Sequence, residues 1–286
     1  MSKPSGKLQL ERLCALLETF GFKHTPKHLS ILLEAAEREE QSYRQFLLHA
    51  LETEVSGRNE RRRQRNYALA HFPPSVRSID EFDPTELESG ITPGQLKQLK
   101  DLSWLDACGN IILAGPPGLG KTMIALGLGL HAIDEGYTVC FEKIENFFDI
   151  LAKADYERGA GFRLKNIKKA QLVILDEIGY ATITKEQANR FFCFVSDAYE
   201  KRSIIFTTNK QLPEWVEMMG DPVLTTAMMD RILHRARCFS LKGESYRLKY
   251  PHLFAEGNTN QQERGADSTA VMHTHTGLDR REVGHA

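Results

Sequence analysis

The sequence predicts an α/β protein in which a parallel β-sheet is flanked by helices and preceded by a small all-α domain. In the second half of the 286-residue chain, short apolar runs alternate with longer helical patterns, the order expected of a doubly wound sheet. The run at residues 172–175 is aliphatic and uninterrupted, which indicates a strand buried on both faces. The first 70 residues contain only patterns of helical period.

Composition is that of an ordinary globular protein, with 41% hydrophobic and 26% charged residues. The formal charge of -1 identifies no partner, so the local distribution of charge matters more than the sum. Five scattered cysteines without a Cys-x-x-Cys spacing favour reduced thiols over a zinc site. No signal peptide and no apolar stretch of about 18 residues is present, so we expect a cytoplasmic protein with no membrane partner.

Three helices are predicted in residues 1–75, where we expect an N-terminal helical domain with a basic third helix. The second helix begins at Thr25, which is followed by proline. Ser42 and Gln45 form a capping box that opens the third helix. Pro73 and the proline after it must end that helix, so the domain boundary is placed near residue 75.

Two basic segments are candidate DNA contacts. Arginines spaced i, i+3, i+4 and i+7 in the third helix would form one stripe, which suits a phosphate backbone. A solvated helix face is the alternative for both segments. The first segment contains Arg58, Arg61, Arg62, Arg63 and Arg65, and the second contains Arg158, Arg163, Lys165, Lys168 and Lys169.

The predicted α/β domain covers residues 76–250. Its segment between the second and third strands is mostly helical, and Gly159 and Gly161 are expected to divide that segment into two short helices. Residues 251–286 are polar and poor in aliphatic side chains, so we expect a disordered tail. The five strands are predicted at residues 111–114, 138–141, 172–175, 203–208 and 237–241.

Residues 115–122 match the phosphate-binding loop pattern in full. Glycines allow successive backbone N–H groups to converge on phosphates, and the helix that follows adds the positive end of its dipole. Lys121 would reach the β and γ phosphates, and Thr122 would coordinate magnesium. A glycine-rich turn that binds nothing is the alternative. The candidate nucleotide-binding residues are Gly115, Pro116, Pro117, Gly118, Leu119, Gly120, Lys121 and Thr122.

Two adjacent carboxylates close the aliphatic run of the third strand. Asp176 is predicted to bind magnesium together with Thr122, the role of the acid after the second apolar strand in such sites. Glu177 is then placed to orient and activate an attacking water, which implies hydrolysis rather than transfer to a bound small molecule. A surface acid at a strand end is the alternative for Glu177.

These motifs, with Thr-Thr-Asn at 207–209 and Asp-Arg-Ile-Leu-His-Arg-Ala at 230–236, resemble the AAA+ ATPases. Within them, the chain is most similar to the IstB-like helper ATPases of insertion-sequence transposition, relatives of the DnaC-type helicase loaders. The resemblance covers about residues 1–250. It implies a P-loop NTPase core of the AAA+ type, with ATP and Mg²⁺ as cofactors and a homo-oligomer formed through the ATP interface.

The resemblance also implies roles for residues outside the loop. Asn209 looks like sensor-1, a polar side chain near the γ-phosphate; a turn cap is the alternative. Arg231 resembles the arginine finger offered to a neighbouring subunit, with Arg235 as runner-up, and an arginine on a helix surface is the alternative for both. Arg247 looks like the sensor-2 arginine. The wider AAA+ pattern includes a C-terminal helical lid domain, which we do not expect here.

The function implied is that of an ATP-dependent, DNA-binding ATPase. It would oligomerise on double-stranded DNA and assist a cognate transposase in target selection and integration. A replicative helicase loader of the DnaC type is one alternative, and an ATP-gated DNA scaffold with negligible hydrolysis is another. A small-molecule kinase is least favoured, because no acceptor pocket with its own base is evident.

Overall fold

A computed structural model describes residues 6–179, 183–211 and 213–249, without the side chains of residues 216–218 and 247. The N-terminal helices are α1 (Gly6–Thr19), α2 (Thr25–Arg38) and α3 (Tyr43–Ala70), and α2 contacts both of the others. The predicted capping box of α3 is confirmed, since the Ser42 hydroxyl accepts the Gln45 N–H and the Gln45 side chain accepts the Ser42 N–H.

The buried carboxylate of Glu54, in α3, holds the start of α2. It accepts hydrogen bonds of 2.7 to 3.0 Å from the backbone N–H groups of Lys23, His24 and Thr25. Burial alone would raise the pKa of Glu54, but these donors and the Arg58 guanidinium lower it from 4.5 to about 2. A side chain thirty residues away therefore caps α2, in place of the N-cap side chain, which makes no hydrogen bond.

The second half of α3 packs on the α/β core. The Asn66 amide donates to the Tyr137 carbonyl oxygen at 3.0 Å, in the turn before the second strand. Phe72, just after α3, makes edge-to-face contacts with Tyr67 and with Phe141 of that strand. The 28-residue helix α3, which contains the basic segment, therefore extends from the N-terminal helices to the sheet.

Two short 3₁₀ turns (Ile79–Glu81 and Pro84–Glu86) and the helices α4 (Pro93–Lys100) and α5 (Ser103–Asp106) lead into β1 (Asn110–Ala114). The remaining elements, in chain order, are α6 (Lys121–Asp134), β2 (Val139–Lys143), α7 (Ile144–Lys153), α8 (Arg158–Lys169), β3 (Leu172–Ile178), α9 (Lys185–Ala198), β4 (Ser203–Thr208), α10 (Glu214–Met219), α11 (Pro222–Leu233), β5 (Ala236–Ser240) and α12 (Tyr246–Lys249).

The five strands form one parallel sheet in the order β2-β3-β4-β1-β5. Alternate strand residues enter two hydrophobic clusters. Val173 and Phe206 pack against α7, α9 and α11 on one face, and Ile111 and Ile174 pack against α6 on the other. The predicted α/β class with helices on both faces is confirmed. Because every strand is parallel, the carboxyl ends of β1, β3 and β4 meet at one edge of the sheet.

The expectation that Gly159 and Gly161 divide the helical segment is wrong. The break lies at residues 154–157, and both glycines are inside α8. A Cβ at residue 161 would approach the Ala154 carbonyl oxygen to 2.9 Å, so Gly161 permits close packing of α8 against the end of α7. Gly161, which the sequence suggested as a helix break, is therefore explained by a tertiary contact with Ala154.

After β5, the described part of the chain contains only α12, so no helical lid domain follows the sheet up to residue 249. The predicted disordered tail at 251–286 lies outside the described residues. Among the helices that the structure describes, none is long and apolar enough to cross a membrane.

Candidate nucleotide-binding site

The loop at residues 115–120 joins the carboxyl end of β1 to α6. Gly115, Gly118 and Gly120 have φ angles of 149°, 85° and 81°, in the region that favours glycine. A Cβ at residue 115 would lie 2.5 Å from the Leu241 carbonyl oxygen, so the backbone there has room only for glycine. The loop therefore has the curved backbone, free of side chains at its close contacts, that a phosphate cradle requires.

The other loop residues divide between the surface and the core. Pro116 and Pro117 are exposed, whereas Leu119 is buried in the cluster on the α6 side and anchors the loop. The Lys121 ammonium donates to the carbonyl oxygens of Gly115 and Pro116 at 2.6 and 2.7 Å. The cation thus lies over the loop, where the phosphates of a nucleotide would compete for it.

Asp176 is 1% exposed and lies at the end of β3. Its Oδ1 atom accepts hydrogen bonds from the hydroxyls of Thr122 at 2.8 Å and Thr207 at 2.6 Å. Burial raises the pKa of Asp176 above its usual value, and the two hydroxyl donors partly offset that rise. A carboxylate beside a hydroxyl oxygen is a donor set that suits Mg²⁺.

Glu177 follows with an exposed side chain and a left-handed backbone conformation, with φ of 65°. Its backbone N–H donates to the Thr207 hydroxyl at 2.9 Å. Its carboxylate accepts a hydrogen bond of 2.8 Å from the ammonium of Lys143, the last residue of β2. This bond raises the pKa of Lys143. The two predicted acids are therefore adjacent in sequence but differ in burial and in partners.

Asn209 comes directly after β4, at the same edge of the sheet. Its Oδ1 atom is buried and has no hydrogen-bond partner among the described residues. Buried polar atoms in folded proteins usually have a partner, so an acceptor without one at the site edge indicates a polar partner outside the described residues. The orphaned oxygen and the donor set at Asp176 both fit a bound nucleotide with its cation and water.

The chain returns to the loop at its C-terminal end. The Tyr246 N–H donates to the Gly118 carbonyl oxygen at 2.9 Å, and Ser245 packs against Gly118. This contact puts the start of α12 beside the loop. Arg247 lies in α12, but its side chain is outside the described residues.

Arg231 and Arg235 lie at the opposite edge of the sheet. Asn110, the first residue of β1, donates through its amide to the Ile232 carbonyl oxygen and accepts the Ile204 N–H from β4. The end of α11 is thereby fixed to the amino ends of two strands. Both arginines are far from the phosphate loop of their own chain, which follows the carboxyl end of β1.

The two arginines differ in their contacts. The Arg231 guanidinium donates to the Ala227 carbonyl oxygen and stacks on the Phe192 ring, 5.1 Å from its centroid. Arg235 donates to the Ala107 carbonyl oxygen and pairs with Glu200 at 3.2 Å. Arg231 is half-buried and Arg235 is exposed.

The first basic segment does not present all its arginines equally. Arg58 pairs with buried Glu54 and donates to the Gly21 carbonyl oxygen, and Arg63 pairs with Asp134 at 2.5 Å. The Arg62 guanidinium lies against Gly136. Arg61, Arg62 and Arg65 have exposed side chains that form no hydrogen bond or ion pair within the described residues.

The expectation of a DNA contact does not hold for Arg163. It is 7% exposed, and its guanidinium donates to Glu142 at 2.5 Å and to the carbonyl oxygens of Leu69 and Phe141 at 2.8 and 3.0 Å. Since these donors are used inside the chain, Arg163 joins the end of α3 to β2. The exposed members of the second segment are Arg158, Lys165, Lys168 and Lys169.

Sequence reasoning assigned no role to Lys143 or to the Thr207 side chain, and both contact the predicted acids. Thr207 belongs to the Thr-Thr-Asn motif, so the sequence placed it near the site, although nothing local distinguished its role from that of Thr208. No sequence pattern pointed to Lys143, because its partner Glu177 is 34 residues away in the chain.

Comparison with known proteins gives the family. The family model described as IstB-like ATP binding protein matches residues 15–253. A protein from Pseudomonas aeruginosa, described as an insertion sequence IS21 ATP-binding protein, is 40% identical over 84% of this chain and 90% of its own length. An IS5376 counterpart from Geobacillus stearothermophilus is 37% identical over 81% of this chain and 92% of its own.

A solved structure of DnaI aligns with 64% of this chain and 100% of its own, with a TM-score of 0.51 and 16% identity. At that identity the likeness supports the fold alone, a parallel sheet with helices on both faces. The match to the family model covers most of the chain, and relatives of 40% and 37% identity agree with it. The chain therefore belongs to the IstB-like ATP-binding protein family.

Proposed function

We propose that this protein is an ATP-hydrolysing switch that oligomerises on double-stranded DNA and assists a cognate transposase in target selection and integration. The observation that carries the proposal is a divided site. The loop, both acids and Asn209 lie at one edge of the sheet, while the candidate finger arginines lie at the other. Relatives described as insertion-sequence proteins support the transposition context.

Hydrolysis requires a nucleophile, a base and stabilisation of charge on the γ-phosphoryl group. Glu177 orients a water and accepts its proton as the water oxygen bonds to the γ-phosphorus, and the bond to the bridging oxygen breaks to release ADP. The Asn209 amide holds the same water. Thr122 and Asp176 would hold Mg²⁺, which neutralises phosphate charge when bound.

The contact between Lys143 and Glu177 bears on this step. The Glu177 carboxylate accepts this hydrogen bond through Oε2, so to act as the base it uses Oε1 or turns away from Lys143. Both side chains are about half exposed, which leaves them free to separate. The contact between Lys143 and Glu177 is therefore compatible with the arrangement of the site before hydrolysis.

The position of the candidate finger arginines, at the sheet edge opposite the loop, supports completion of the site by a second subunit. Neither Arg231 nor Arg235 can reach the loop of its own chain across the sheet, so an arginine finger must come from a neighbour. Self-association through this interface would make hydrolysis depend on assembly.

The proposal is tested by DNA binding of the full chain. With ATP and Mg²⁺, we expect cooperative binding to long duplex DNA in a gel-shift titration, and loss of the cooperativity in Lys121→Ala. Cooperative binding that persists without nucleotide would contradict an ATP switch. A preference for single-stranded DNA over duplex would instead favour the helicase loader.

The exposed arginines of α3 carry a separate prediction. Changing Arg61 and Arg65 together to Gln should weaken duplex binding and reduce the slope of log affinity against log salt by about 2, since each lost phosphate contact removes roughly 1. The measurement is a salt titration of binding by fluorescence anisotropy.

A matched control removes the same charge outside the basic segment, by changing to Gln two exposed arginines, Arg12 in α1 and Arg44 in the first turn of α3. This control should keep the wild-type slope. Equal slopes for all three proteins would mean that Arg61 and Arg65 belong to a solvated helix face.

A further inference from the structure

The pairing of β3 with β4 is interrupted at the two acids. Residues pair regularly up to Leu175 with Phe206, and pairing resumes at Ile178 with Thr208. Between these pairs, β3 has two residues, Asp176 and Glu177, and β4 has only Thr207. This is the arrangement of a β-bulge, in which the extra residue is left without its usual ladder hydrogen bond.

At the bulge, the Thr207 side chain supplies hydrogen bonds in place of the backbone ladder. Its hydroxyl accepts the Glu177 N–H at 2.9 Å and donates to Asp176 Oδ1 at 2.6 Å. One hydroxyl has one proton to donate and lone pairs to accept, so both bonds can form at once. Thr207 is 1% exposed, which leaves water little access to replace either bond.

Both acids gain a defined geometry from this hydroxyl. Glu177 has φ of 65°, which a residue with a side chain seldom adopts, and its N–H bond to Thr207 holds the backbone there. The hydroxyls of Thr122 and Thr207 both donate to Oδ1 of Asp176, which fixes the orientation of the carboxylate.

We propose that Thr207 is a positioning residue whose single hydroxyl orients the Asp176 carboxylate for Mg²⁺ and fixes the backbone from which the Glu177 side chain projects. Its effect on hydrolysis rests on the proposed function, whereas its effect on Mg²⁺ does not. The adjacent Thr208 has a different role, since its hydroxyl donates to the Ile178 carbonyl oxygen and accepts the Lys210 N–H.

The test compares Thr207→Val, which keeps the shape and removes the hydroxyl, with Thr207→Ser, which keeps the hydroxyl. Thr208→Val is the matched control, because it removes a buried hydroxyl one residue away. Two quantities are measured on the full chain: the Mg²⁺ concentration that half-maximally tightens binding of a fluorescent ATP analogue, and kcat and KM for ATP hydrolysis.

For Thr207→Val, we expect the half-maximal Mg²⁺ concentration to rise and kcat to fall, each by about 10–100-fold. This is the usual effect of removing a hydrogen-bond partner of a metal-binding carboxylate. Affinity for the analogue without Mg²⁺ should stay at the wild-type value. Thr207→Ser should restore both quantities to within about threefold of wild type, and Thr208→Val should leave the Mg²⁺ response unchanged.

An unchanged Mg²⁺ response in Thr207→Val, equal losses in Thr207→Ser, or the same loss in Thr208→Val would overturn the proposal. If thermal melting shows that Thr207→Val does not fold, Thr207→Ala replaces it in the same comparison. A wild-type chain that binds ATP with Mg²⁺ but does not hydrolyse it would contradict the proposed function, and the Mg²⁺ measurement would still decide the role of Thr207.

Discussion

Glu177→Gln is expected to reduce kcat for ATP hydrolysis by about 10²–10⁴-fold, the range for loss of a general base, while ATP binding is retained. The amide has the same shape as the carboxylate but cannot accept the proton of the attacking water. The phosphate loop and Asp176 are unchanged by the substitution, so the nucleotide should still bind. Phosphate release under single-turnover conditions and binding of labelled ATP give the two measurements.

The same variant distinguishes a hydrolytic switch from a scaffold. If hydrolysis releases the assembly from DNA, Glu177→Gln should remain on duplex DNA after a competitor is added, whereas the wild type dissociates. Glu145→Gln is the matched control, an exposed acid two residues after Lys143, and it should behave as wild type. Equal dissociation of Glu177→Gln and wild type would favour the ATP-gated scaffold.

Arg231→Ala is expected to lower kcat by about 10³–10⁵-fold, the contribution of an arginine finger supplied by a neighbouring subunit. The guanidinium at this position stacks on Phe192 at the sheet edge opposite the loop. Its removal therefore leaves the variant's own phosphate loop intact, and affinity for ATP should change little. Steady-state hydrolysis on duplex DNA gives the measurement, and Arg235→Ala tested beside it identifies which of the two arginines acts.

Mixing two inactive variants tests whether the arginine acts between subunits. Lys121→Ala lacks a functional loop but keeps Arg231, and Arg231→Ala has the opposite defect. In a mixed assembly, the loop of an Arg231→Ala subunit can meet the arginine of a Lys121→Ala neighbour, so hydrolysis should partly return. If no ratio of the two proteins restores hydrolysis, Arg231 does not complete the site of another subunit.

Much of the fold was predictable from the sequence because the signals are local. A capping residue lies three positions from its partner, as Ser42 and Gln45 do, and strand or helix periodicity is complete within about ten residues. The phosphate loop is likewise contained in eight consecutive residues. The α/β class and the approximate strand positions follow from such short-range patterns, whereas β3 extends to Ile178, three residues past its predicted end.

The charged side chains were less predictable, since their partners are distant in the chain. Arg163 has the same local signal as Lys165, a basic residue in a helical pattern, yet it contacts the end of α3 more than 90 residues away. Arg58 is engaged by Gly21 and Arg63 by Asp134, 37 and 71 residues away. Spacing on a helix predicts which residues share a face, and it does not predict what lies opposite that face.

The sequence by itself determined the order of the elements, the phosphate loop and the pair of acids that close the aliphatic run of β3, because each is encoded by neighbouring residues. Only the tertiary structure decided which arginines are exposed, why Gly161 lies inside α8, and that Thr207 joins Asp176 to Glu177. Those outcomes depend on which strand pairs with which and on what each helix is packed against. A hydrogen bond across a β-bulge forms between residues 31 positions apart, so no local pattern records it.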